Sequence, residues 1–215
     1  MKIQIITLFP DMFPGVMNAS MMWKAQDQGI VTFEYIDLRQ FGLGPRKQVD
    51  DTPYGGGDGM LLKPEPLVAA IEYAKQQDPE ALVLLPTPRG KIFQQSDAKQ
   101  LAAQNKGLII VCPRYEGYDE RVVQYIDQLF CIGNYVLTGG ELPAMIIADS
   151  VVRLLPGVLG GETSAEIESF QQDDQNIEFP QYTRPEAFRG ERVPDVLLSG
   201  HHAEINKWRA QNSHR

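Results

Sequence analysis

Much of what commonly marks a protein's task is missing from this chain of 215 residues. No apolar run reaches ~18 residues, so a membrane-spanning helix is excluded. The opening Lys2-Ile3-Gln4-Ile5-Ile6-Thr7-Leu8-Phe9 breaks at Pro10 and Asp11. It lacks the longer apolar core and small-residue cleavage site of a signal peptide, and reads as a first strand. Cysteine occurs twice, at Cys112 and Cys131, in apolar surroundings and without Cys-x-x-Cys spacing. That argues against a disulfide framework and for buried thiols in a reducing cytoplasm. The three histidines, His201, His202 and His214, lie far from either cysteine in sequence, so a zinc site is not expected. The usual nucleotide fingerprints are absent too. The first strand leads into Thr7-Leu8-Phe9-Pro10-Asp11 rather than Gly-x-Gly-x-x-Gly, and no Gly-x-x-x-x-Gly-Lys-Ser/Thr or Gly-x-Ser-x-Gly occurs.

An excess of positive charge is also lacking. The formal net charge is −8, which excludes nucleic-acid binding by the surface as a whole. The charge is uneven, however. Residues 162–178 hold six acids (Glu162, Glu166, Glu168, Asp173, Asp174, Glu178) and no Lys or Arg, whereas residues 179–215 hold six basic residues against four acids. Such a tail is either a solvated face or a local cationic surface.

What is present reads as an α/β protein. Apolar residues make up 43% and charged residues 22%, which excludes wholesale disorder. Up to about residue 155, short β-branched runs (3–9, 31–38, 82–85, 108–112, 128–132) alternate with helical patterns. Pro66 opens one helix, with Leu67, Ala70, Ile71 and Ala74 at i, i+3, i+4 and i+7. Others are expected over 96–103, 119–126 and 141–155; the last is apolar on nearly all sides, as in a helix buried in a core or a subunit interface. This alternation predicts a mostly parallel sheet covered on both faces, with ligands at the carboxyl ends of its strands. Residues 1–160 form that domain, 161–180 a flexible acidic linker, and 181–215 a small helical unit whose clearest helix spans 201–210. About 35 residues are too few for an independent core.

Three strands end in unusual loops expected to share one pocket: Leu85-Pro86-Thr87-Pro88, Cys112-Pro113-Arg114-Tyr115-Glu116-Gly117, and Ile132-Gly133-Asn134-Tyr135-Val136-Leu137-Thr138-Gly139-Gly140. Gly139-Gly140 directly precede a helix, where free N–H groups favour acceptors or anions; ordinary turn chemistry is the alternative. The glycine-dense Tyr54-Gly55-Gly56-Gly57-Asp58-Gly59-Met60 is either a ligand-gripping loop or a mobile surface loop. Arg153, late on an apolar helix, is either a partner of the helix dipole or aimed at an anion. Glu168 is one of six acids in its stretch, and composition alone does not single it out.

These segments in this order resemble the bacterial tRNA (guanine-N1)-methyltransferase family, of the SPOUT or α/β-knot class. The resemblance rests on Ile6-Thr7-Leu8-Phe9-Pro10, Pro53-Tyr54-Gly55-Gly56-Gly57, Arg114-Tyr115-Glu116-Gly117, Gly139-Gly140-Glu141-Leu142-Pro143-Ala144-Met145, Tyr182-Thr183-Arg184-Pro185 and Ser199-Gly200-His201-His202-Ala203-Glu204. It covers essentially the whole chain. It implies a deep trefoil knot and a homodimer with active sites at the subunit interface. S-adenosylmethionine would be held by Leu85, Pro86, Thr87, Pro88, Pro113, Tyr115, Glu116, Gly117, Ile132, Gly133, Asn134, Tyr135, Val136, Leu137, Gly139, Gly140 and Pro143. The implied substrate is the guanine 3′-adjacent to a tRNA anticodon, with Glu168 as the base for its N1 proton and Arg153 as the partner of its O6. Neither a metal, a membrane nor DNA is implied, and the setting is the cytoplasm.

The sequence departs from the family pattern in places. Glu168 stands for an Asp, Pro113 for a Gly, Asn134 for an Asp and Thr52 for an Arg, and the family's helical C-terminal part continues beyond the position of Arg215. These departures leave a second reading, a divergent relative that binds cofactor or RNA with weak or altered methylation. A third is a non-catalytic RNA-binding module.

Overall fold

A computed structural model describes residues 1–159, 168–170 and 177–213. The chain divides into two units, residues 1–160 and 161–215. In chain order the elements of the first are β1 (Lys2–Thr7), α1 (Pro14–Met17), α2 (Ser20–Asp27), β2 (Thr32–Asp37), β3 (Asp50–Asp51), β4 (Leu61–Leu62), α3 (Pro64–Gln77), β5 (Leu82–Ile92), α4 (Gln95–Gln104), β6 (Leu108–Val111), β7 (Gln128–Cys131) and α5 (Glu141–Val152). Short 3-10 turns cover Pro10–Met12, Leu38–Phe41 and Glu120–Tyr125.

Five strands pair in the order β2-β1-β6-β5-β7, every pair parallel. Parallel strands put all their carboxyl ends on one edge, and crossovers cover both faces. The two apolar clusters show this directly. Ile3, Ile5, Leu84, Leu108, Ile110 and Phe130 pack with residues of α2, α4 and α5, while Val83, Leu85, Ile109 and Val111 pack with Leu67, Ala70, Ile71 and Ala74 of α3. Neighbours along β6 thus alternate between faces, as the two-residue period of a strand dictates. On the α3 face, the buried Gln4 donates from Nε2 to the Ala74 carbonyl at 3.1 Å.

The strand and helix expectations agree with these elements to within a few residues, with four differences. First, β5 runs on to Ile92 instead of ending at 85. Pro86 and Lys91 both lie opposite Phe130, so residues 87–90 form a wide bulge in a continuing strand. The Thr-Pro-Arg-Gly composition reads as a loop because Pro cannot join the ladder and Gly rarely stays in it. Second, residues 120–125 form a 3-10 turn, not an α-helix; the Asp119 carboxylate caps it by accepting from Arg121 N. Third, α5 ends at Val152, and Leu154 and Leu155 bond back three residues in a tightened last turn. Fourth, α1 and α2 lie between the first two strands, where no helix is placed from the sequence; α2 buries Met22 and Ala25, three residues apart.

In the second unit the described elements are a hairpin of β8 (Ala187–Phe188) and β9 (Glu191–Arg192), then α6 (Asp195–Leu198) and α7 (His202–Gln211). Ile205 and Trp208 are the two half-buried positions of α7, on one face. Trp208 meets the rings of Phe179 at 6.4 Å and Tyr182 at 6.3 Å, and the Arg209 guanidinium lies 4.8 Å from the Phe179 ring centre. Much of the acidic stretch, with Glu162, Glu166, Asp173 and Asp174, lies outside the described residues, as does His214.

Candidate functional site

At the carboxyl edge of the sheet the bulge of β5 and the loops after β6 and β7 surround a cavity of about 500 Å³. That volume falls within the ~300–1,000 Å³ of small-molecule sites. The first wall is the bulge, with Pro86, Thr87, Pro88 and Arg89. The second is the turn after β6, Pro113 to Tyr118. The third is Ile132, Gly133, Tyr135, Val136, Leu137, Gly139 and Gly140, closed by Pro143 in the first turn of α5. Of the residues expected to hold a cofactor, two do not line the cavity. Leu85 is fully buried on the α3 face, because strand alternation turns its side chain into the core. Asn134 also lies outside the lining, although its neighbours Gly133 and Tyr135 belong to it.

Local chain chemistry explains how these turns are built. Tyr115 adopts φ +61° and Gly117 φ +136°, so the chain reverses sharply after β6. The turn is tied to the glycine-rich segment: Glu116 N donates to the Met60 carbonyl at 3.0 Å and Leu62 N to the Gly117 carbonyl at 2.9 Å. At Gly59 a Cβ would lie 2.4 Å from Glu116 Cγ, so a side chain there would displace Glu116. The glycine-rich segment therefore buttresses the second wall, while Tyr54 at its tip is fully exposed. Gly140 N donates to the Pro113 carbonyl at 2.8 Å, and a Cβ at Gly140 would come within 2.4 Å of Pro113 Cδ. Proline at 113 thus keeps the carbonyl that Gly140 uses.

Sequence reasoning passed over Glu141 and Arg114 as functional residues. Glu141 opens α5 and is 1% exposed. Its Oε1 accepts from Thr7 Oγ1 at 2.8 Å and its Oε2 from Arg114 Nε at 2.8 Å. A carboxylate buried this deeply needs hydrogen-bond partners of this kind. The available signal was the acidic residue directly after Gly139-Gly140, in the first turn of an otherwise apolar helix. Burial pushes the neighbouring Cys112 thiol well up from its ordinary range; the Glu141 carboxylate pushes the same way and Arg114 opposes. Cys112 is a free, buried thiol. Cys131 is also buried and free, and its Sγ lies 3.1 Å from the Gly133 carbonyl. Tyr115 is raised as well, by partial burial first and by Asp50 second.

Arg153 is half-buried at the C-cap of α5 and does not line the cavity. The twelve residues of α5 span about 18 Å at 1.5 Å per residue, so within one copy Arg153 and Gly140 stand at opposite ends of that helix. Glu168 is a half-buried bend residue of the second unit. Among the described residues no group of three or more His, Cys, Asp or Glu is arranged to hold a metal, and no helix is long and apolar enough to cross a membrane.

A parallel α/β sheet with a loop-lined cavity at its carboxyl edge is the framework of a ligand-binding α/β enzyme. Comparison with known proteins narrows this. The model of the family described as tRNA (Guanine-1)-methyltransferase TrmD matches residues 1–215, and the chain belongs to that family. A protein of Halalkalibacterium halodurans named tRNA (guanine-N(1)-)-methyltransferase is 52% identical over 216 residues, covering 99% of this chain and 86% of its own length. Proteins of the same name from Myxococcus xanthus and Geobacillus kaustophilus are each 51% identical. They cover 98% and 100% of this chain, and 85% and 87% of their own lengths. These likenesses favour the family's reaction and lend nothing to the reading as a divergent relative.

Proposed function

We propose that this protein transfers a methyl group from S-adenosylmethionine to N1 of the guanine immediately 3′ of a tRNA anticodon, position 37. The observation that carries the reading is the cavity whose three walls are the three loops that the family resemblance assigns to the cofactor, in a chain matched by the family over its whole length. The residues present suit that cofactor. Pro86, Pro88, Ile132, Leu137 and Pro143 offer apolar walls for a purine, and the backbone of 133–137 with Glu116 offers donors and acceptors for ribose and amino-acid groups. When bound, the cofactor supplies an electrophilic methyl on a sulfonium sulfur, which leaves as a neutral thioether.

The chain's own residues do the remaining work. N1 of guanine carries a proton and becomes a competent nucleophile as that proton departs. Glu168 takes it as general base. Charge then grows toward O6, where the Arg153 guanidinium stabilises it. The loops hold the methyl in line with N1. In the same reading the sheet domain carries the class's deep knot and works as a homodimer with the active site at the subunit interface. Support for the dimer comes from Arg153 standing a helix length from the cavity of its own copy, which leaves the O6 position to be served across an interface. The cationic residues of 179–215 contact tRNA phosphates.

Calorimetric titration with S-adenosylmethionine tests the assignment of the cavity. Binding with one site per chain, abolished by Gly140→Leu, is expected. Equal binding by both proteins would place the cofactor elsewhere.

A further inference from the structure

We propose that Arg114 and Glu141 form a clamp that holds the second and third walls of the cavity in the shape that accepts the cofactor, which makes both of them positioning residues. The inference rests on the reading of the cavity given above.

The clamp is a closed circuit of contacts. Thr7, at the end of β1 and fully buried, donates from Oγ1 to Glu141 Oε1 at 2.8 Å and accepts from Phe9 N at 2.9 Å. Glu141 Oε2 receives Arg114 Nε at 2.8 Å. The Arg114 guanidinium also donates from Nη2 to Met12 Sδ at 3.1 Å. It lies over the Phe9 ring, 4.3 Å from its centre, and it donates from Nη1 to the Thr138 carbonyl at 3.2 Å. One side chain on the second wall thereby fixes the main chain of the third wall just before Gly139-Gly140. The planar fork is what permits this, since an ammonium is a single point that cannot pair with Glu141, cover Phe9 and reach Thr138 at once.

Gly139 records the same constraint. A Cβ built there would lie 2.4 Å from Arg114 Nε and 2.5 Å from its Cδ. Its φ is not in the left-handed region, so the backbone itself would accept alanine. What excludes a side chain at 139 is the guanidinium passing beside it. Three otherwise separate features of the sequence, the Arg of Arg114-Tyr115-Glu116-Gly117, the stretch Thr138-Gly139-Gly140-Glu141, and Thr7 before Phe9, thus answer to one piece of geometry.

The test compares the whole protein with Arg114→Lys, Arg114→Ala, Gly139→Ala and the double variant Arg114→Ala/Gly139→Ala. Two readouts are used. The first is hydrogen exchange without cofactor, which is independent of the functional reading. Arg114→Lys is expected to speed exchange of amides in 133–140 roughly tenfold while those of β1, β5 and β6 hold. The second is S-adenosylmethionine affinity by calorimetry, expected to fall roughly tenfold or more in Arg114→Lys and in Gly139→Ala. Because the guanidinium is what alanine at 139 would strike, Gly139→Ala is expected to cost much less when Arg114 is already alanine. Exchange in 133–140 that matches the parent, or a Gly139→Ala effect of the same size in both backgrounds, would overturn the clamp. If Arg114→Ala proves too unstable to study, the exchange and affinity measurements are made on Glu141→Gln, which keeps an acceptor for Thr7, removes the one for Arg114 and is expected to loosen 133–140 as Arg114→Lys does. A parent protein that fails to bind S-adenosylmethionine at all would defeat the functional reading and leave the exchange result to judge the clamp.

Discussion

The two units of this chain are held together in different ways. In the first, a parallel sheet is sealed on both faces, and residues such as Ile3, Leu84, Ile110, Phe130 and Val151 are completely buried. In the second, no described residue is buried; its best-packed feature is the group of rings around Trp208. A core of the first kind fixes geometry to the precision a cofactor cavity needs, because close-packed interiors resist small displacements. A thinly packed unit offers a surface instead, and under the reading proposed above it also carries the base, Glu168. In that reading, positioning of the methyl donor and delivery of the base rest on supports that differ in packing.

The sharpest way to separate these contributions is Glu168→Ala. It is expected to lower methyl transfer by about 10²–10⁴-fold, the range for removal of a general base, while S-adenosylmethionine binding measured by calorimetry stays within twofold. Equal losses in both would tie Glu168 to the cavity and dissolve the division of labour. Next in size is Phe130→Ala. Phe130 is fully buried, meets Phe93 edge-on at 5.1 Å and lines the cavity. Its truncation is expected to remove about 3–5 kcal/mol of stability, read by denaturant unfolding, and to weaken the cofactor with it. Trp208→Ala should matter less, about 1–2 kcal/mol and confined to the second unit, with cofactor affinity unchanged. A loss of cofactor affinity in this variant would break the independence of the two units.

The smallest effect concerns acid. The Arg121 side chain donates to both Asp119 oxygens at 2.8 Å and holds the carboxyl below its ordinary range. The native state then binds that proton more weakly than the unfolded chain does, so the pair stabilises the fold above the ordinary carboxylate range. That contribution fades as pH falls through the lowered value. Asp119→Asn is expected to flatten this part of the pH–stability curve slightly, since Arg121 is well exposed. An unchanged curve would show that the pair is screened away.

Legibility in the sequence followed the same division. The strands and α3 announced themselves through period and β-branching, because each buries a full face. The cavity loops stood out through Pro and Gly in places where a strand had just ended. Three things stayed hidden. The bulge at 87–90 hid because composition cannot show that a strand resumes its pairing opposite the same Phe130. Leu85 lies adjacent to the cavity in sequence, but strand alternation sends it into the core. The contacts of Glu141 with Thr7 and Arg114 join residues 134 and 27 positions apart, and no local pattern encodes such pairings. The roles proposed for Arg153 and Glu168 rest on resemblance alone, since a late-helix Arg and one acid among six carry no chemical signature of their own.

The most direct test of the central claim is methyl transfer from labelled S-adenosylmethionine to paired unmodified tRNA transcripts that differ only in carrying guanine or adenine just after the anticodon. Label on N1 of the guanine transcript, none on the adenine transcript, and loss of transfer in Glu168→Ala are the predicted results. Equal labelling of both transcripts, or no labelling of either by a protein that binds the cofactor, would contradict the account.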